Sequence, residues 1–131
     1  MPLKAAVSGA RQVETWLKAE GFDVTCLTDE GDRSVHVKDV KNAIKKYVDL
    51  GTLEQLLIYF AGHGQLNGFD ELWLLSDAPD DPDEAINQTS SGDFARFCDV
   101  ASVVFISDAC RSKPLSSQAE RVSGLSIFPN P

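Results

Sequence analysis

Two short stretches constrain this chain more than anything else in it. The first is Leu56-Leu57-Ile58-Tyr59-Phe60-Ala61-Gly62-His63-Gly64. A continuous apolar run of this length suits a strand buried on both faces, as in a parallel sheet. It ends abruptly in a histidine held between two glycines, which suits a polar side chain at the mouth of that sheet with backbone exposed beside it. The second stretch, Val103-Val104-Phe105-Ile106-Ser107-Asp108-Ala109-Cys110, repeats the design. One strand delivers a histidine and the other a cysteine, and the remainder reads as scaffold for that meeting.

Taken in order, the apolar positions Val7, Ala10, Val13, Trp16 and Leu17 form a helical stripe that stops at Gly21, a natural helix C-terminal residue. Phe22 to Leu27 alternates and is β-rich, which predicts a strand. Ser34 is placed to cap a second helix carrying Val37, Val40, Ile44, Tyr47 and Val48, with Gly51 ending it. The His-bearing strand is expected from about Gln55 to Ala61. Asn67-Gly68 is a strong tight-turn signal. With Glu71 to Leu75 as a short strand, it predicts a hairpin beside the histidine loop. Ser76 to Glu84, rich in Asp and Pro, is loop, and Phe94, Phe97 and Cys98 mark a short helix after Ser91-Gly92. Ala101 to Ser107 is the second buried strand. From Arg111 onward the periodicity fails.

Helices alternating with strands predict an α/β sandwich with a largely parallel sheet. In such sheets ligands bind outside the carboxyl ends of the strands, where His63 and Cys110 both fall. A chain of 131 residues is one domain by size. Its formal net charge of −8 argues against nucleic acid and against anionic membrane surfaces. No run spans a bilayer, and the N-terminus lacks a signal-peptide core. Cys26, Cys98 and Cys110 are odd in number and widely spaced, so they are not a disulfide framework, and a reducing, cytoplasmic setting is expected. Cys26 and Cys98 sit among apolar residues and read as small buried hydrophobes.

A cysteine nucleophile acts as its thiolate and needs a base nearby. Of the two histidines, His36 lies in the first turn of a predicted amphipathic helix and reads as a solvated surface residue. A lone histidine after a strand is more often structural than catalytic. The flanking glycines and the matching strand-end cysteine tip His63 the other way. Cys110, inside Asp108-Ala109-Cys110-Arg111-Ser112, stands between charged neighbours past its strand, where core burial is not expected.

Tyr59-Phe60-Ala61-Gly62-His63-Gly64 followed by Asp108-Ala109-Cys110-Arg111-Ser112 resembles the paired motifs of the caspase-like cysteine peptidases, family C14, and most closely their metacaspase and prokaryotic branch. Caspases carry the His about 50 residues before the Cys, close to the spacing here. Pro2-Leu3-Lys4, the first helix and Gly21-Phe22-Asp23-Val24 resemble the family's first helix and second strand, and Leu72 to Ala78 resembles its hairpin. The resemblance implies a three-layer α/β/α sandwich with a mostly parallel central sheet. It implies a cysteine endopeptidase in which Cys110 attacks a peptide carbonyl while His63 assists the thiolate and protonates the leaving amine. Backbone N–H groups of Gly64 and Cys110 would hold the oxyanion, and Gly64 would keep the substrate approach clear. Asp108, an aspartate where aspartate-specific caspases have glutamine, would face an Arg or Lys side chain at P1; the bland reading is that it caps the turn.

The acidic loop Asp77, Asp80, Asp81, Asp83 and Glu84 offers the hard oxygen ligands calcium takes. It lacks EF-hand spacing and is broken by Pro79 and Pro82, so a solvated loop is expected, with calcium as the alternative. No zinc set is visible. Against the family pattern, a first central strand and two final strands have no counterpart here, and Leu125-Ser126-Ile127-Phe128 resembles the approach to that final region. Residues 1–131 therefore read as a large-subunit-like core whose open sheet invites a second chain or fragment to complete it. The alternative to a peptidase is a catalytically incomplete scaffold or regulatory module. Protein or peptide substrates are the expected partners.

Overall fold

The computed structural model describes residues 4–131; the resemblance read from Pro2-Leu3 lies outside them. The chain order is α1 (Lys4–Ala19), α2 (Val37–Val48), β1 (Gln55–Gly62), β2 (Gly64–Asn67), β3 (Asp70–Leu74), β4 (Ala85–Asn87), α3 (Gln88–Ala95), β5 (Ser102–Ala109) and α4 (Ser117–Glu120). The two apolar runs pair with each other. β1 and β5 form a parallel ladder from Gln55↔Ser102 to Gly62↔Ala109. A second, antiparallel sheet of order β2-β3-β4 branches off after His63. Its first turn falls at Gly68-Phe69, one residue beyond the pair the sequence marks: Asn67 ends β2 opposite Asp70, and Gly68 takes φ 63°, as the first position of such a turn requires.

The pleat divides the β1–β5 ladder into two faces. Leu56, Ile58 and Phe60 of β1, with Val103, Phe105 and Ala109 of β5, pack into the main core beside Val37 and Ile44 of α2, Ala95 of α3 and Trp73 of β3. The other face carries Tyr59 and Asp108, bonded to each other, and meets α1 near Gly9. Helices therefore lie on both sides of a parallel ladder, as the alternation of the sequence predicts. At the centre Phe60 stacks on Trp73 with ring centroids 5.0 Å apart, and Phe105 tilts against the same indole at 6.2 Å.

Several expectations need correction. Phe22 to Leu27 is not a strand: residues 22 to 30 have no regular structure. A strand needs a ladder, and among the described residues β1 pairs on one side only. Its other edge borders a cavity of about 390 Å³ lined by α1, α2 and Thr25 to Asp29, so that segment has no strand within reach. Thr25 is tied instead to Tyr47 of α2 by a hydroxyl–phenol hydrogen bond of 2.7 Å. The hydroxyl of Thr28, on the same cavity wall, is buried without a partner among the described residues.

The second helix begins two residues later than Ser34 predicts. His36 is its N-cap, and its backbone N–H donates to Asp39 Oδ2 at 2.9 Å. Val35 is already occupied by Ser76, whose Oγ accepts from Val35 N at 2.8 Å. His36 is half-buried rather than solvated, with Nδ1 2.6 Å from Glu84 Oε1 and 3.4 Å from Asp77 Oδ2. The short helix after Ser91-Gly92 starts earlier, at Gln88, because Asn87 Oδ1 caps it through Ser90 N. Ile127 and Phe128 are core residues, each 3% exposed, packed beside Phe105. Cys26 and Cys98 are half-buried rather than buried; burial and the Glu14 carboxylate push the Cys26 thiol up.

Candidate active site

β1 and β5 are parallel and in register to their last residues, Gly62 and Ala109. His63 and Cys110 each follow immediately, at the same end of adjacent strands. Strand spacing is about 4.8 Å, so this register brings the two positions together. Both side chains are exposed. The Cys110 thiol lies 3.8 Å from the Gly64 carbonyl oxygen, to which it donates. Ser112 Oγ donates to that same oxygen at 3.4 Å, and Leu66 N donates to Ser112 O at 2.9 Å. The histidine loop and the cysteine loop are thus laced together by one backbone bond and two side-chain donors to the Gly64 carbonyl.

Each glycine beside His63 has its own reason. Gly62 takes φ 155°, and a Cβ there would lie 3.0 Å from the Phe60 ring. At Gly64 a Cβ would lie 2.5 Å from the Cys110 carbonyl oxygen and 3.0 Å from Ala109 Cβ. The sequence suggests that Gly64 keeps the substrate approach clear. The contact geometry gives another reason: the backbone of the cysteine loop already occupies that space. Because Leu74 N donates to His63 O, Gly64 and Trp73 form the kind of antiparallel pair whose own N–H and C=O groups point away from each other. The Gly64 peptide groups accordingly face the Cys110 loop.

Asp108 is exposed on the α1 face of the ladder, and Tyr59 donates its phenol proton to Asp108 Oδ2 at 3.0 Å. Burial, and then the Asp108 carboxylate, raise the Tyr59 phenol above its usual range. Tyr59 therefore remains a proton donor at neutral pH and orients the carboxylate. Asp108 does not cap a turn through any side-chain bond among the described residues.

Of the calcium candidates among the described residues, Asp77 and Glu84 join a convergent set, with His36. Asp80 accepts from Gln118, and Asp81 accepts from the backbone N–H of Asp83. Glu84 also accepts from Val37 N at the start of α2.

Reading the sequence missed the residues that brace the cysteine loop. Glu71 and Trp73 sit two apart on β3 and so share a face. Trp73 is fully buried, and its indole N–H reaches both Glu71 Oε2 at 3.0 Å and Ser107 Oγ at 3.1 Å. Glu71 Oε1 meets Arg111 Nε at 2.7 Å. The available signal was the carboxylate alternating with tryptophan in a short buried strand.

No helix among the described residues is long and apolar enough to cross a membrane. No curated protein and no solved structure matches the chain significantly. The family model of the caspase domain, Peptidase_C14, matches residues 1–127, nearly the full length and both the histidine and cysteine segments. With helices flanking a parallel ladder that ends in His63 and Cys110, this chain belongs to the caspase-domain family of peptidases.

Proposed function

We propose that the chain is a cysteine endopeptidase of the metacaspase-like branch, using Cys110 as nucleophile and His63 as general acid–base, and cleaving after Arg or Lys. The observation that carries this reading is the register: Gly62↔Ala109 is the last pair of the ladder, so both reactive side chains leave adjacent strands at one edge. Cys110 Sγ forms the bond to the peptide carbonyl carbon. The thiol proton passes to His63 Nε2 or Nδ1 and then to the leaving amine, and water releases the acyl group. The Gly64 and Cys110 backbone N–H groups are the oxyanion donors in this scheme. The orientation of the Gly64 peptide toward the cysteine loop supports that role.

Exposure of Cys110 to an electrophile tests the assignment directly. An Arg-P1 peptide bearing an electrophilic warhead is expected to add one adduct mass to the wild type and none to Cys110→Ala. Adduct formation on neither protein would favour the scaffold reading, which draws on the unpaired edge of β1.

Asp108 is the basic-P1 residue in this reading, exposed on the ladder face two residues before Cys110 and oriented by Tyr59. A charge-assisted contact contributes roughly 1.5–3 kcal/mol. Asp108→Asn should therefore lower kcat/KM for Arg-P1 peptides about 10- to 100-fold, with little change for a substrate with a neutral P1. Preferential cleavage after Asp by the wild type would overturn the specificity. The open edge of β1 and the unpartnered Thr28 hydroxyl beside it support a second chain or fragment that adds a strand there.

A further inference from the structure

Cys110 and Arg111 lie just past the end of the paired ladder, which closes at Gly62↔Ala109. The next backbone anchor is Ser112, held by Leu66 N and bridged to Gly64. Between these anchors the Cys110 thiol contacts the Gly64 carbonyl oxygen at 3.8 Å, and the one ionic tether among the described residues is the Arg111 side chain. It is held by Nε, the guanidinium nitrogen nearest the main chain, so the leash is short.

The other end of that leash is unusual. Glu71 is only 9% exposed, and carboxylates are rarely buried unless paired. Its position is fixed on three sides. The backbone N–H of Glu71 donates to Thr89 Oγ1 at 3.0 Å, Oε2 accepts from Trp73, and Oε1 accepts from Arg111. Trp73 in turn bonds Ser107, three residues before Cys110, and stacks on Phe60, three residues before His63. The network therefore touches both strands that carry the reactive residues. A neutral Gln at position 71 would satisfy the Trp73 N–H equally well. What the negative charge adds is a hold on Arg111.

We infer that Glu71 is a positioning residue for the nucleophile, clamping Arg111 so that the Cys110 peptide is held in its reactive orientation against the histidine loop. The inference rests on the endopeptidase reading. Ion pairs at the surface normally contribute little to stability, and the Arg111 end is 64% exposed. The clamp is accordingly expected to matter to geometry more than to folding. The charged and titratable groups around Cys110 are His63 after β1, Asp108 with its Tyr59 partner, and the Glu71–Arg111 pair.

The test uses Glu71→Gln, Arg111→Ala and the double variant, each read in two ways. In peptide turnover, each single variant should lose about tenfold or more in kcat with KM within about twofold, and the double should be no worse than the poorer single. Multiplicative losses, or a rise in KM with kcat intact, would overturn the clamp. The second reading follows alkylation of Cys110 against pH by peptide-resolved mass spectrometry, and needs no turnover. Glu71→Gln leaves Arg111, the residue next to Cys110 in the chain, without its counter-charge and should shift the midpoint down. Arg111→Ala leaves an unopposed carboxylate and should shift it up. A purely structural loss would move both the same way, and either that result or no movement overturns the inference. Should the wild type cleave no peptide, whatever its P1 residue, the endopeptidase reading fails, while the alkylation midpoints still decide whether the pair acts on Cys110.

Discussion

Gly64→Ala should disable the protein as thoroughly as loss of a reactive side chain. The added methyl would sit 2.5 Å from the Cys110 carbonyl oxygen, 3.0 Å from Ala109 Cβ and 3.3 Å from the Leu72 carbonyl oxygen. Two of those neighbours are backbone, one in the cysteine loop and one in β3, so the clash cannot be relieved by a rotamer change. Overpacking of this kind costs roughly 1–3 kcal/mol. The functional cost should be larger, because the only relief available is to move the histidine loop and the cysteine loop apart. In the proposed mechanism Gly64 is an oxyanion donor, and displacing one such donor lowers turnover by about 10²–10³-fold. The expected result is a folded protein with a modestly lowered urea midpoint and turnover reduced by at least that factor. Activity within threefold of wild type would mean that the loops tolerate separation.

The second large effect concerns stability. Trp73 is fully buried, and its ring stacks on Phe60 of β1 and meets Phe105 of β5 at a tilt. Replacing a buried aromatic with Ala costs roughly 3–5 kcal/mol. Here it also strips Glu71 of its indole partner, and a buried acceptor left unsatisfied costs about 1–3 kcal/mol more. Domains of ordinary stability hold only about 5–15 kcal/mol, so Trp73→Ala should remove much of it. Trp73→Phe separates the two contributions: it keeps a stacking ring but loses the N–H to Glu71 and Ser107. Urea denaturation should place the Phe variant between wild type and Ala. An Ala variant within 1 kcal/mol of wild type would show that the indole is not central to the core.

What the sequence made legible follows from period and punctuation. The helical stripes at Val7 to Leu17 and Val37 to Val48 sit on α1 and α2, and the two apolar runs became the parallel pair. Asn67-Gly68 announced its hairpin. His63 and Cys110 stood out because each ends a strand-length run, and the structure places them just after the last pair of the β1–β5 ladder. Phe22 to Leu27 misled because alternation reports only a capacity to be a strand; a neighbour with free hydrogen bonds is also required, and none lies beside it. β4 escaped notice since three residues, Ala85 to Asn87, are too few to show a period, and their identity as a strand depends on β3. Glu71 and Arg111 lie 40 positions apart in the chain, and their pairing is a tertiary fact that no local pattern carries.

The in-register ending of β1 and β5 makes the chemistry sensitive to a discrete variable, the count of residues along each strand. Side chains alternate with a period of two, so a one-residue slip sends the whole set to the opposite face. A single residue inserted within Ser102–Ala109 would leave composition and apolar content almost unchanged. It would nonetheless turn Cys110 away from His63 or push it one step beyond the last pair. A two-residue insertion restores the facing but lengthens the reach by about 6.6 Å. Strand length in this chain is thus quantised by parity, and natural length variation is to be expected in the loops rather than within these two strands.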